Sequence, residues 1–206
     1  MSNILIGKKL GMTQIFAQSG EVTPDSVIQA GPCPVVQVKT PEKDGYSAIQ
    51  IGFGEAKAVR VGKPVEGHFK RASIKPCRLL KEVRVKDAGQ FKIGDVIDVR
   101  IFEGTKQVHV SGVSKGRGFA GTIRRYHFKR GPETHGSKNV REPGSVGQNT
   151  TPARILKGKR LPGRMGGEKT TVKNMKVVLI DAENHLLFVK GAVPGANNGI
   201  VFIRKD

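Results

Sequence analysis

Short runs of Val, Ile, Leu and Phe, broken by Gly, Pro, Asp and Asn, recur toward both ends of the chain. Runs of this length, rich in β-branched side chains, favour strands over helices. The pattern predicts strands at Ile4 to Lys8, Met12 to Phe16, Ser26 to Gln29 and Val35 to Lys39, with turns at Ser19-Gly20 and Gly31-Pro32. Asp44-Gly45 signals a turn before another strand, Tyr46 to Ile51. Residues 54–76 are rich in Gly, Ala and Lys, and a short helix is expected over Val65 to Ala72. Strands resume at Leu79 to Val85 and at Val96 to Phe102, where Ile97, Val99 and Ile101 alternate with Asp98 and Arg100 as in a half-buried strand. Lys106 to Val110 closes this block. Near the other end, Met175 to Asp181, His185 to Lys190 and Ile200 to Arg204 read as strands, with Glu183-Asn184 as a turn.

The pattern changes at Ser111. Residues 115–169 hold 14 Lys and Arg against three acids (Glu133, Glu142 and Glu168), and only nine Ile, Leu, Val, Met or Phe. So little apolar surface does not offset the chain entropy of folding alone. A stretch of this kind inside a compact protein is functional or it argues against the assignment. The expected fold is therefore mainly β with some α. A β-barrel core over residues 1–113 and 170–206 is interrupted by a basic Gly/Pro-rich extension over residues 114–169, which becomes ordered against a polyanion.

Charge decides what that polyanion is. The chain has 206 residues and a net charge of +19, and the segment 115–169 contributes +11 of it. Nucleic acid and an anionic membrane surface are the natural counterparts of such an excess. Ile4-Leu5-Ile6 is too short for a signal peptide or a membrane helix, and no later stretch approaches about 20 apolar residues. The cations are spread through Gly/Pro segments instead of lining one amphipathic helix, so no membrane contact and a cytoplasmic location are expected.

Within the segment, Gly116-Arg117-Gly118-Phe119-Ala120-Gly121 matches GxGxxG but lacks the following parallel strand of a dinucleotide site. It reads instead as a Gly-rich turn that lets backbone N–H groups, Lys115 and Arg117 approach phosphates, or as a solvated connector. Arg124, Arg125, Lys129 and Arg130 interleave with Tyr126, His127 and Phe128. The cations suit phosphates, while the rings either pack on the barrel or stack on unpaired bases. Lys138 and Arg141 add two cations ahead of a nearly uncharged island, Pro143 to Gln148. With Gly144, Ser145 and Gln148, that island is either a loop tip able to enter a narrow RNA crevice or an ordinary Pro-Gly turn. Arg154, Lys157, Lys159, Arg160 and Arg164 line the return path, where Pro152, Pro162 and four glycines (Gly158, Gly163, Gly166 and Gly167) prevent a regular helix. Cations on an extended backbone can track a phosphate ribbon.

Catalytic and metal chemistry find little support. Cys33 and Cys77 form no CxxC pair, and the five His lack HxxxH spacing, so neither a metal site nor a disulfide is expected. Ser145 lacks the GxSxG elbow, and there is no Walker motif. No cofactor is implied. An RNA-modifying enzyme on a barrel scaffold and a general polyanion-binding chaperone are the competing classes.

The chain resembles the bacterial form of the universal large-subunit ribosomal protein L-three family over nearly its full length. The resemblance is carried by Gly7-Lys8-Lys9-Leu10-Gly11-Met12-Thr13, Ala30-Gly31-Pro32-Cys33-Pro34, Gly67-His68-Phe69 and Ser114 to Gly121. It continues through His135-Gly136-Ser137, Pro143 to Gln148, Lys157-Gly158-Lys159-Arg160 and Lys190 to Gly195. It implies a translation-protein-like β-barrel with an inserted α/β portion at about 42–94, and a long extension that penetrates large-subunit (23S-type) rRNA. It also implies early binding in subunit assembly, neighbouring large-subunit proteins as partners, one copy per ribosome and a tip that approaches the peptidyl transferase centre without catalytic groups. The family's tip glutamine, N5-methylated in some bacteria by a glutamine methyltransferase, corresponds to Gln148. Where the family commonly has Trp-Asn this chain has Tyr126-His127, and where it has Met-Ala-Gly-His this chain has Leu161-Pro162-Gly163-Arg164. Where it has Gly after Thr151-Pro152, this chain has Ala153.

Overall fold

A computed structural model describes residues 4–16, 20–57 and 61–205. The chain divides into two compact units, Met1–Val113 with Lys169–Asp206, and Ser114–Glu168.

In the first unit, six antiparallel strands pair in a closed cycle: β1 (Ile4–Phe16), β12 (Ile200–Arg204), β7 (Gln107–Val113), β10 (Lys169–Asp181), β11 (Leu186–Lys190) and β2 (Val22–Ala30). Closure joins the first and last strands of the cycle, while the ends of the two longest strands, residues 11–16 of β1 and 169–172 of β10, run on with a partner on one side. Partners across the ladders share a face, so Leu5 opposite Ile203 and Ile203 opposite Val110 place three fully buried side chains in one row. Ile28 opposite Leu187 adds a second row. Burying side chains of this size stabilises by roughly 1.5–3 kcal/mol each before entropy is counted. Lys9 is also buried, and its ammonium donates to the carbonyl oxygens of Val193 at 2.8 Å and Gly195 at 3.3 Å, which compensates for its desolvation.

A four-stranded sheet in the order β5 (Cys77–Arg84), β4 (Ala48–Glu55), β3 (Cys33–Lys39), β6 (Val96–Ile97) completes this unit. Ile49, Ile51 and Val83 join the barrel's apolar cluster. Val36 packs with Phe69 of helix α2 (Lys63–Arg71) and with Ala72. Helix α2 begins with Pro64 in its first turn and ends with Lys70 and Arg71, arrangements that suit the two ends of a helix. It matches the helix expected at Val65 to Ala72.

The mainly-β reading holds, with corrections. Ile4 to Lys8 and Met12 to Phe16 are one strand, because a bulge between Lys9 and Gly11 absorbs the irregularity that resembled a break. The strand expected at Val96 to Phe102 ends at Ile97, and Val99–Phe102 forms a 3-10 turn. Val99 and Phe102, three apart, are both buried by that turn. A short helix, α1 (Pro41–Asp44), precedes β4, and the strand expected from Tyr46 begins at Ala48. The sheet placed in the inserted portion spans β3 to β6, from Cys33 to Ile97, a longer stretch than residues 42–94. The turn expected at Ser19-Gly20 falls partly outside the described residues. Among the described residues, no helix is long and apolar enough to cross a membrane.

Candidate nucleic-acid interface

The second unit is organised around its backbone, with almost no core. Of its residues only Ala120 and Thr122 are buried. It opens as an antiparallel stem. The Ser114 amide donates to Glu168 O at 2.9 Å, the Arg117 amide to Met165 O at 2.8 Å and the Met165 amide to Gly118 O at 2.9 Å. A two-residue ladder then pairs β8 (Phe119–Ala120) with β9 (Gly163–Arg164). The two limbs come so close that a Cβ on Gly166, at φ +73°, would collide with the carbonyl oxygen of Lys115. Only glycine fits there. The segment read from sequence as structureless thus carries paired backbone at its root.

Helix α3 (Thr122–Tyr126) follows the stem, and His127 ends it in the left-handed region at φ +60°. Its two arginines differ. Arg124 is exposed, whereas Arg125 is half-buried and donates from Nη1 to the carbonyl oxygen of Leu161 at 2.8 Å. The Arg125 guanidinium also lies 5.0 Å from the centre of the Tyr126 ring, and that of Arg160 lies 5.8 Å from it. Tyr126 and Phe128 are tilted neighbours, 6.4 Å between ring centres. The rings therefore pack within this unit, against each other and against cations.

Beyond the helix the chain makes a pinched loop. The Gly131 amide donates to Val140 O at 3.0 Å, and a Cβ on Gly131 would collide with the carbonyl oxygen of Asn139. Arg130 is paired with Glu133. Gly144, Ser145 and Gln148 are all exposed, and Ser145 Oγ donates to Gly147 O at 3.2 Å. The return path through Arg154, Lys157, Lys159 and Arg160 is exposed throughout.

Lys115, Arg117, Arg124, Lys129, Arg130, Lys138, Arg141 and Arg164 are likewise exposed, so Arg125 alone among the candidates is partly covered. Among the described residues Lys115, Arg117, Arg154, Lys157 and Lys159 have no acidic partner. A unit without a core, held by its backbone and presenting unpaired cations, can neutralise and space phosphates.

Sequence reasoning missed Phe119, which is 80% exposed on the stem beside Arg164 of the paired strand. It also missed the exposed apolar pair Ile155 and Leu156 on the return path. The clustered rings at Tyr126 and Phe128 drew the stacking argument because they are interleaved with cations, and exposure of a lone Phe leaves no mark in sequence. Among the described residues no group of His, Cys, Asp and Glu could hold a metal, and both cysteines are free.

The ribosomal protein L3 family model matches residues 84–185. The chain is 50% identical over 205 residues to the large ribosomal subunit protein uL3 of Syntrophobacter fumaroxidans, spanning 100% of this chain and 98% of that protein. It is 54% identical over 201 residues to the uL3 proteins of Thermotoga petrophila and Pelotomaculum thermopropionicum, spanning 98% of this chain and 96% and 95% of theirs. Agreement at half or more of the positions, along the whole chain, means that it belongs to the ribosomal protein L3 family.

Proposed function

We propose that the chain is a structural, non-catalytic component of the large ribosomal subunit that binds large-subunit rRNA directly and helps nucleate assembly in the cytoplasm. The observation that carries this reading is the second unit itself: a hydrogen-bonded stem with almost no buried side chains, whose candidate cations, Arg125 apart, are exposed. Such a unit gains its order and its counter-charge from RNA. Its cations draw phosphates together, and its glycine turns let backbone pass where side chains do not fit.

In this reading the barrel is of the translation-protein kind and lies on the outer surface of the subunit beside other large-subunit proteins, one copy per ribosome. Ser114 to Glu168 is the rRNA-penetrating extension. Lys115, Arg117, Arg124, Lys129, Arg130, Lys138, Arg141, Arg154, Lys157, Lys159, Arg160 and Arg164 contact phosphates, while Arg125 shapes the path between them. The exposed tip with Gly144, Ser145 and Gln148 reaches toward the peptidyl transferase centre, and Gln148 is the residue a glutamine methyltransferase would modify. The test is copurification: the chain should remain in stoichiometric amount on large subunits after a high-salt wash. Loss from washed subunits would contradict the reading.

A further inference from the structure

The core carries its own concentration of unpaired cations, in a groove of about 520 Å³ between strand β5 and the outer face of the barrel. Strand register builds its floor. Phe202 of β12 lies opposite Ser111 of β7, and Ser111 lies opposite Thr171 of β10, so the three share one outward row. The Ser111 and Thr171 hydroxyls are hydrogen-bonded at 2.8 Å. In the next row Arg204 is opposite His109, whose Nδ1 accepts the Asn174 amide at 3.0 Å. Asn174 and Lys173 lie in a bulge of β10 between Val172 and Met175, so the extra residues of that strand carry Lys173 to the groove's edge.

Four exposed cations rim this floor: Lys81, Lys169, Lys173 and Arg204. The Lys81 ammonium stands 5.8 Å from the centre of the Phe202 ring. Among the described residues none of the four has an acidic partner. The lining holds one carboxylate, Glu82, and it is already engaged, 2.6 Å from the Lys39 ammonium and 2.9 Å from the Tyr46 hydroxyl. Glu82 also feels the Lys81 charge, but one carboxylate shared with Lys39 does not balance four rim cations, and their mutual repulsion is relieved by an anion spanning the rim.

The floor indicates what kind of anion. Two adjacent hydroxyls can pair with ribose 2′-OH groups while ammonium and guanidinium groups hold the flanking phosphates. We infer that this groove holds a run of ribosomal RNA backbone, an attachment made by core residues alone. The inference rests on the rRNA-binding reading above and extends it to a site outside the extension.

The test uses the full chain and a large-subunit rRNA transcript in filter binding across a salt series. A groove variant carries Lys81→Gln, Lys169→Gln, Lys173→Gln and Arg204→Gln. A control removes four exposed cations elsewhere on the core: Lys63→Gln, Lys86→Gln, Lys92→Gln and Lys106→Gln. The groove variant should bind roughly 10-fold or more weakly than the control, with a salt slope lower by about 1 for each phosphate that is no longer neutralised. Equal binding by groove variant and control overturns the inference. A third variant, Lys157→Gln with Lys159→Gln and Arg160→Gln, separates the two claims, because its weakened binding keeps the rRNA reading standing even if the groove fails. Lysine acetylation of the unaltered protein gives a readout independent of variant folding. RNA should protect Lys81, Lys169 and Lys173, and protection that appears only when another protein is added also overturns the inference.

Discussion

Arg125 Nη1 donates to the carbonyl oxygen of Leu161 at 2.8 Å, joining helix α3 to the returning limb across 36 positions of sequence. A Cβ on Gly163 would come within 2.6 Å of the same nitrogen, so the limb passes directly over the guanidinium. One cation among many in this unit is thus structural, while its neighbour Arg124 faces solvent.

Arg125→Ala should loosen the stem and Arg124→Ala should not. A hydrogen bond from a charged group contributes about 1.5–3 kcal/mol, and removing it exposes Leu161 O and frees the Tyr126 ring. Amide exchange at residues 117–127 and 161–166 should quicken in Arg125→Ala and stay unchanged in Arg124→Ala, whose effect should be confined to RNA affinity. Equal protection in both variants would contradict the assigned division of roles.

Phe119 should act on RNA and not on the fold. Its ring is 80% exposed, so truncation removes little protein packing. Stacking of a ring on a base is worth about 1–3 kcal/mol by alanine substitution. Phe119→Ala should weaken binding to an rRNA transcript correspondingly and leave the melting temperature where it is. A lowered melting temperature with unchanged affinity would show that the ring serves the protein's own packing.

The two thiols should differ in reactivity. Burial pushes the Cys33 thiol up to about 12. Burial also raises Cys77, which is only half-buried. The thiolate is the reactive form, so at pH 8 iodoacetamide should label Cys77 first and Cys33 only on unfolding. The sign for stability follows from the same shift. An unfolded Cys33 ionises near its ordinary value while the folded one stays protonated, so stability is unaffected below about pH 9 and falls as pH rises toward 12. The fall in melting temperature across that range should be shallower in Cys33→Ala than in the parent, because Lys39 and Cys77 still contribute to it, and an identical fall in both would contradict the assignment.

The proposed reading makes Gln148 the target of a glutamine methyltransferase, which would leave one methyl group on its side-chain nitrogen in ribosomes from the native source. Mass spectrometry of the peptide containing Gln148 reads this directly. An unmodified peptide refutes the assignment for this source.

Much of the barrel was legible because each strand is long enough to show its apolar run. Ile200 to Arg204 and Leu186 to Lys190 coincide closely with the runs that announced them. Where two geometries share a pattern, legibility failed. The alternation Ile97, Val99, Ile101 suits a strand, but Val99 and Phe102 also stand at the three-residue spacing of a 3-10 turn, and tertiary packing chose the turn. The candidate interface was legible as charge and not as structure. Phe119 pairs with Arg164 in a ladder two residues long, too short for periodicity to reveal. Arg124 and Arg125 look alike in sequence, and only the path of the returning limb separates them. Ala153 sits at φ +58°, a left-handed backbone that glycine adopts more readily than an L side chain, so its residue type does not announce that conformation.

The central claim is that exposed, unpaired cations bind rRNA by displacing its counterions. The most direct measurement is the affinity of the full chain for a large-subunit rRNA transcript as salt rises from about 50 to about 200 mM. Affinity should fall by roughly 10³–10⁵ if about 6–10 phosphates are engaged. A nearly flat dependence on salt would contradict the account.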